Sequence, residues 1–133
     1  MVSRYRDWLK QADRNFVSAL VNQREGLHEE AVMRLIKWLK KPLKHYLNFL
    51  NKERRGYSLL YLLLETELSI PRDIKECIIN LDKHYIPSRY PDVFDEGAPA
   101  DYYTENDSKH CIECAKKILD WVKQFVEGSH REV

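Results

Sequence analysis

A chain of 133 residues, 44% of them apolar, is long enough for one compact domain with its own core. Its 22 Lys and Arg against 21 Asp and Glu leave a net charge of +1, so no global field draws it toward polyanions. Three cysteines exclude a fully paired disulfide framework, and the longest apolar run, Leu59 to Leu64, is far shorter than the about 20 residues that cross a bilayer.

The first helix is expected from about Ser3 to Asn22. Tyr5, Trp8, Leu9, Ala12, Phe16, Ala19 and Leu20 recur there at helical spacing, and Gly26 breaks the pattern. A second helix follows from about His28 to Asn51, with Ala31, Leu35, Trp38, Leu39, Pro42, Tyr46 and Leu50 as its apolar stripe. Pro42 removes one backbone donor and predicts a kink. Ser58 predicts the cap of a short third helix ending near Glu67. Ser69 and Pro71 suit the start of a fourth helix, which turns Ile74, Cys77, Ile78 and Leu81 inward and ends near His84.

A loop holding Pro87, Pro91, Gly97 and Pro99 comes next. It carries Tyr90, Phe94, Tyr102 and Tyr103, and four large rings need cover, so it is expected to lie along the domain. Thr104 with Asp107 three residues on matches a capping box with Asp in place of Glu. The last helix buries Cys111, Ala115, Ile118, Leu119, Val122, Phe125 and Val126, and Gly128 is expected to end it. No segment has strand periodicity. The expected architecture is an all-α, five-helix up-and-down bundle over residues 1–128 with a frayed tail, 129–133. Charged residues from Arg4 to Asp7 stand where a secretion signal would be apolar, which predicts a cytoplasmic protein.

Charge is unevenly distributed. Arg34 to Arg55 holds eight Lys/Arg and one acid, whereas Asp92 to Asp107 holds six acids and no Lys or Arg. This asymmetry points to a polarised surface or to pairing between subunits.

Three segments carry a family resemblance. WLKQADRNFVSAL at Trp8 to Leu20 resembles the opening helix of HEPN-domain proteins, the prokaryotic family related to nucleotidyltransferase-associated toxins. HYIPSRYPDVFDEGAPADYYTENDS at His84 to Ser108 resembles the loop leading into their last helix. Gly56-Tyr57-Ser58-Leu59-Leu60 stands where relatives show Gly/Thr-His-Ser/Asp-Leu-Leu. The resemblance covers about Arg6 to Phe125. It implies an all-α bundle, usually dimeric, in a family that includes metal-independent RNases with an Arg, four to six residues, then a His. Other relatives bind nucleotides or act as partners of a separate minimal nucleotidyltransferase. This chain departs from the RNase motif, because no Arg stands at that spacing before His28, His45, His84, His110 or His130. Tyr57 occupies the histidine position of the third helix, and Ile36 to Lys41 replaces a Gln-Gln-Ala-(Ala/Val)-Glu-Lys run.

Four candidates for chemistry remain. Metal-free RNA cleavage needs a base near the 2′-OH and a cation at the phosphate; the nearest substitute is Lys40 and Lys41 with His45, and a solvated basic helix is the favoured reading. Arg34, Lys37, Lys41 and Lys44 line one side of the second helix, with Arg54 and Arg55 beyond, and aligned cations can hold RNA or a nucleotide; a solvated face or contact with the acidic loop is the simpler reading. Arg89 between Tyr85 and Tyr90, with His84, Asp92, Tyr102 and Tyr103 nearby, can hold an anion while a ring stacks on a base; alternatively Arg89 is tied to Asp92 or Asp101. Cys111 and Cys114, beside His110, lack the second knuckle of a zinc site and the βαβ setting of a redox pair, so helix packing is favoured.

The functional reading is a HEPN-like module without the family's RNase motif. It is expected to bind a nucleotide or RNA, or to partner a nucleotidyltransferase, as a homodimer with no cofactor, no metal and no membrane. The alternatives are an RNase toxin of a toxin–antitoxin pair, with an atypical site at Lys40, Lys41 and His45, and a plain dimeric interaction protein.

Overall fold

The computed structural model describes the backbone of residues 4–49, 58–64 and 69–131, and the side chains of 6–41, 58–61, 63–64 and 69–124. Six α-helices and one 3-10 turn occur among the described residues, and no strand does. In chain order the helices are α1 (Arg4–Arg24), α2 (His28–Phe49), α3 (Leu59–Leu64), α4 (Arg72–Lys83), α5 (Pro99–Tyr102) and α6 (Glu105–Arg131), with the 3-10 turn at Pro91–Val93.

The apolar stripes set the packing. Leu9, Ala12 and Ala19 of α1 meet Ala31, Val32, Leu35, Ile36 and Leu39 of α2 in one core with Ile118, Leu119 and Val122 of α6. Both α1 and α2 pack on α6, while α3 and α4 close the other side. Ile74, Cys77, Ile78 and Leu81 all face inward from α4, as their spacing predicts. The α1–α2 turn is sharp because Gly26 takes φ +80°, a left-handed conformation that costs glycine little. Leu27 N–H closes this turn on the carbonyl of Asn22 at 2.8 Å. Helix α2 continues through Pro42 to Phe49.

Two predicted caps are present. The amide of Tyr61 donates to Ser58 Oγ at 3.2 Å. Thr104 N–H donates to the Asp107 carboxylate at 3.0 Å and Asp107 N–H to Thr104 Oγ1 at 3.3 Å, the reciprocal pair of a capping box.

Four expectations are corrected. The cap of α4 is Pro71, without a side-chain hydrogen bond, not Ser69; the extended backbone of Pro71, ψ 149°, delays the helix by two residues. A sixth helix, α5, forms inside the loop, where Pro99 opens the turn and the Asp101 carboxylate accepts from Ala98 N–H at 2.9 Å. Gly128 does not end the last helix, which continues to Arg131 and takes in the start of the expected frayed tail; one glycine costs a helix only about 1 kcal/mol. Lys40 is not on a solvated face: it is 5% exposed. The expected ends of the second and third helices, at Asn51 and Glu67, and Gly56, Tyr57, Arg54 and Arg55 lie outside the described residues, as do the side chains of Lys44, His45, Tyr46, Phe125 and Val126. No described helix is long and apolar enough to cross a membrane.

Candidate anion-binding site

Helix α4 does not stop abruptly at Lys83. His84 N–H bonds to the carbonyl of Leu81, Ser88 N–H to that of His84, and Tyr90 N–H to that of Ile86. These turns keep a helical sense, so Tyr85 and Arg89, four residues apart, come to one side. Ser88 is buried beneath them and its hydroxyl donates to the carbonyl of Tyr85 at 3.4 Å.

Arg89 Nη1 donates a hydrogen bond to the Tyr85 hydroxyl. Its guanidinium lies 4.9 Å from the centre of the Tyr85 ring and 5.6 Å from that of Tyr90. The third participant comes from α2: Lys40 Nζ sits 3.4 Å from the centre of the Tyr85 ring. Two cations from distant segments thus converge on one phenol, and the negative face of the ring offsets part of the cost of burying Lys40. Arg89 and Tyr90 remain exposed. The ion pairs among the described side chains are Arg72 with Glu76 and Lys123 with Asp13; neither Asp92 nor Asp101 holds Arg89. Asp101 is engaged with Ala98 instead.

Of the predicted basic stripe on α2, the side chains of Arg34, Lys37 and Lys41 are described and that of Lys44 is not. Lys37 is exposed. Lys41 folds back, with Nζ 4.4 Å from the Trp38 ring centre. Arg34 is half-buried beside a cavity of about 10 Å³ between Trp38, Phe16 and Leu119, and its Nε is buried without a hydrogen-bond partner. Lys40 and Lys41 therefore reach different rings, and the side chain of His45, the third member of the alternative RNase site, lies outside the described residues. Lys40 belongs with Tyr85 and Arg89.

Of the four loop rings expected to need cover, Tyr103 pins the segment to the bundle, whereas Tyr90 and Tyr102 stay exposed and Tyr102 packs within the loop. Tyr103 is buried, its hydroxyl 2.9 Å from His84 Nδ1 and the two rings edge to face at 5.5 Å. Burial lowers the pKa of His84 below its ordinary value, with His110 and Lys83 acting the same way and Asp107 opposing them. Burial also raises the Tyr103 phenol well above its usual range. Tyr102 stacks on Phe94 at 4.1 Å and 5° and donates to the carbonyl of Glu96 at 2.6 Å.

Cys77, Cys111 and Cys114 are free and buried. Burial pushes the thiols of Cys111 and Cys114 up to about 12, the opposite of what a nucleophile or metal ligand needs. Among the described residues no group of three or more His, Cys, Asp and Glu is arranged to hold a metal ion.

Sequence reasoning missed the contact between His28 and Ser108. His28 Nδ1 lies 2.9 Å from Ser108 Oγ, and the Ser108 hydroxyl is 3.1 Å from the carbonyl of Glu105. The single Ser108 proton goes to that carbonyl, so Ser108 accepts from the imidazole and fixes its Nδ1–H tautomer. An open hollow of about 520 Å³ lies beside His28, bordered by Gln23, Arg24 and Glu105. Nothing in the spacing of His28 and Ser108, 80 residues apart, could have revealed this contact.

Comparison with known proteins gives the family. A HEPN domain family model matches residues 5–125. TT1696 from Thermus thermophilus is similar in structure, with TM-score 0.81 and 32% identity over 91% of this chain and 97% of its own. ST0689, an archaeal HEPN homologue, shares 44% identity at TM-score 0.75, over 92% and 98%. A HEPN domain protein from Thermotoga maritima, 19% identical at TM-score 0.65 over 96% and 99%, shares the fold. A search of curated protein sequences gave no match. The chain belongs to the HEPN domain family.

Proposed function

We propose that this HEPN-family chain is a binding module for a phosphate-bearing ligand, a nucleotide or a short RNA, held at Tyr85, Arg89 and Tyr90. The observation that carries the reading is the state of Arg89, exposed between two tyrosines with no described carboxylate neutralising it. A planar guanidinium presents paired donors to phosphate oxygens, and the exposed ring of Tyr90 offers a stacking face for a base. Lys40, close beneath Tyr85, adds positive potential. Binding needs no general base, in keeping with a chain that lacks the Arg-to-His spacing of the family's RNases.

The test is a thermal-shift panel with ATP, GTP, AMP and short RNA. A ligand at a hundred times its dissociation constant stabilises by about 2.7 kcal/mol, a shift of several degrees for a chain of this size. The expected result is a selective shift that Arg89→Ala abolishes and Lys37→Ala leaves in place. No shift with any ligand would overturn the reading.

Partnership with a minimal nucleotidyltransferase is the second reading. Tyr61 and Leu64 of α3 and Ile79 of α4 are exposed apolar side chains on two helices that pack together, and such surface suits a protein partner. Co-purification of the nucleotidyltransferase from the native cell, lost on Leu64→Glu, would support it.

A further inference from the structure

The geometry points to the hollow beside His28, where α1, α2 and α6 meet, as a binding site for a free α-amino acid in its zwitterionic form. This inference stands apart from the anion site, because the two share no residue.

The hollow is bordered by Leu20, Gln23, Arg24, Gly26, His28 and Glu105. Its chemistry starts from Ser108, which is fully buried. The Ser108 hydroxyl has one proton, given to the carbonyl of Glu105 at 3.1 Å, so its oxygen takes the Nδ1–H of His28 at 2.9 Å. In the neutral imidazole the other nitrogen, Nε2, is then an acceptor. With Nδ1 turned to the buried hydroxyl, Nε2 is the nitrogen that the half-buried ring leaves for the hollow.

Two charges of opposite sign stand at the same rim. Arg24 and Glu105 are exposed, and neither is in an ion pair among the described residues, whose pairs are Arg72 with Glu76 and Lys123 with Asp13. They border the hollow from the end of α1 and the start of α6 without meeting. Gly26, at φ +80°, has open space where a Cβ would stand, so nothing closes the mouth from that side.

These charges select the ligand. A phosphate or a lone carboxylate is drawn to Arg24 and repelled by Glu105. A lone amine is drawn to Glu105 and repelled by Arg24. A small molecule that carries both a carboxylate and an ammonium satisfies both ends, and its ammonium has a further hydrogen for His28 Nε2. The side-chain amide of Gln23 can donate to the carboxylate or accept from the ammonium. A hollow of about 520 Å³ is on the order of 10 Å across, room for an amino-acid backbone with a hydrogen bond at each end and a side chain against Leu20.

The test is a titration of the full chain with the common L-amino acids, followed in the assigned amide spectrum. Contacts between exposed charges contribute modestly, so the tightest amino acid is expected to bind at about 1 mM and titration to about 20 mM covers it. The expected shifts centre on Arg24, Leu27, His28 and Glu105. Analogues of the tightest binder that lack its ammonium or its carboxylate (isocaproate and isoamylamine for leucine) are expected to bind about fivefold more weakly. Arg24→Gln and Glu105→Gln, both at exposed positions, are each expected to weaken the amino acid about fivefold, and Lys37→Ala is expected to leave it unchanged. Ser108 acts as a positioning residue: Ser108→Ala is expected to release His28 from its Nδ1–H tautomer, read from the imidazole nitrogen shifts, and to weaken binding with it. No shift at the hollow with any amino acid would overturn the inference, as would binding indifferent to both Arg24→Gln and Glu105→Gln. Inorganic phosphate or the carboxylate analogue binding as tightly as the amino acid would overturn it in favour of a plain anion site.

Discussion

The carboxylate of Asp82 on α4 accepts the hydroxyl hydrogen of Ser58 at 2.9 Å, across 24 residues of sequence. The same carboxylate takes the amides of Leu59 at 2.7 Å and Leu60 at 3.0 Å. Helix α3 therefore begins with its free donors satisfied by two residues, Ser58 locally and Asp82 from a neighbouring helix. Asp82→Ala is expected to cost about 2 kcal/mol, since it leaves several partly buried donors without an acceptor. Ser58→Ala is expected to cost about 1 kcal/mol. Urea unfolding of both variants checks the order; an Asp82→Ala loss smaller than that of Ser58→Ala would contradict this cap.

Burial lowers the pKa of His84 in the folded chain below its ordinary value of 6.5. As pH falls through that value, the unfolded chain takes a proton that the folded chain refuses. Stability is therefore present above the unfolded value and is lost as pH falls through the folded one. The melting temperature is expected to fall with pH below about 6.5, and His84→Gln is expected to flatten that slope. An unchanged slope in the variant would assign the pH dependence to other groups.

The buried thiols give a third expectation. With Cys111 and Cys114 raised to about 12, only on the order of one thiol in ten thousand is ionised at pH 8. A thiol reagent is expected to react slowly with the folded chain and to titrate all three cysteines after denaturation. Rapid reaction of the native chain at Cys114 would reopen the case for chemistry at this pair.

Lys40 beneath Tyr85 gives a fourth. Lys40→Met keeps the length of the stem and removes the charge, so stability is expected to change by less than about 1.5 kcal/mol in either direction. Lys40→Glu would set a carboxylate against the negative face of the ring, at an expected cost of about 3 kcal/mol. Equal losses in the two variants would mean that the face of the Tyr85 ring does not discriminate between a neutral group and a carboxylate set against it, and would count against the ring contact as a contribution of Lys40.

What could be read from the sequence was mostly local. The stripes of α1, α4 and α6 follow from side-chain periodicity, and the Ser58 and Thr104–Asp107 caps span only three residues. The Tyr85–Arg89 pair was also legible, being four residues apart. Contacts between distant segments were not. Nothing near Lys40 tells that it will be covered by a tyrosine 45 residues on, and nothing near Asp82 marks it as the cap of another helix. Lys40 and Lys41 look alike in the sequence, yet neighbours in a helix point about 100° apart, and that rotation sends one under Tyr85 and the other over Trp38. Helix α5 escaped notice because four residues are too few to show a period.

The contact between His28 and Ser108 also bears on the order in which the chain assembles. Helices α1 and α2 are joined by three residues and share the most extensive helix–helix packing among the described residues, so their pairing closes a short loop and is expected early. The bond from the start of α2 to Ser108 spans 80 residues and forms only when α6 docks. A probe at Ser108 is then a clock for the last step of folding, and Ser108→Ala is expected to speed unfolding while leaving the folding rate nearly unchanged.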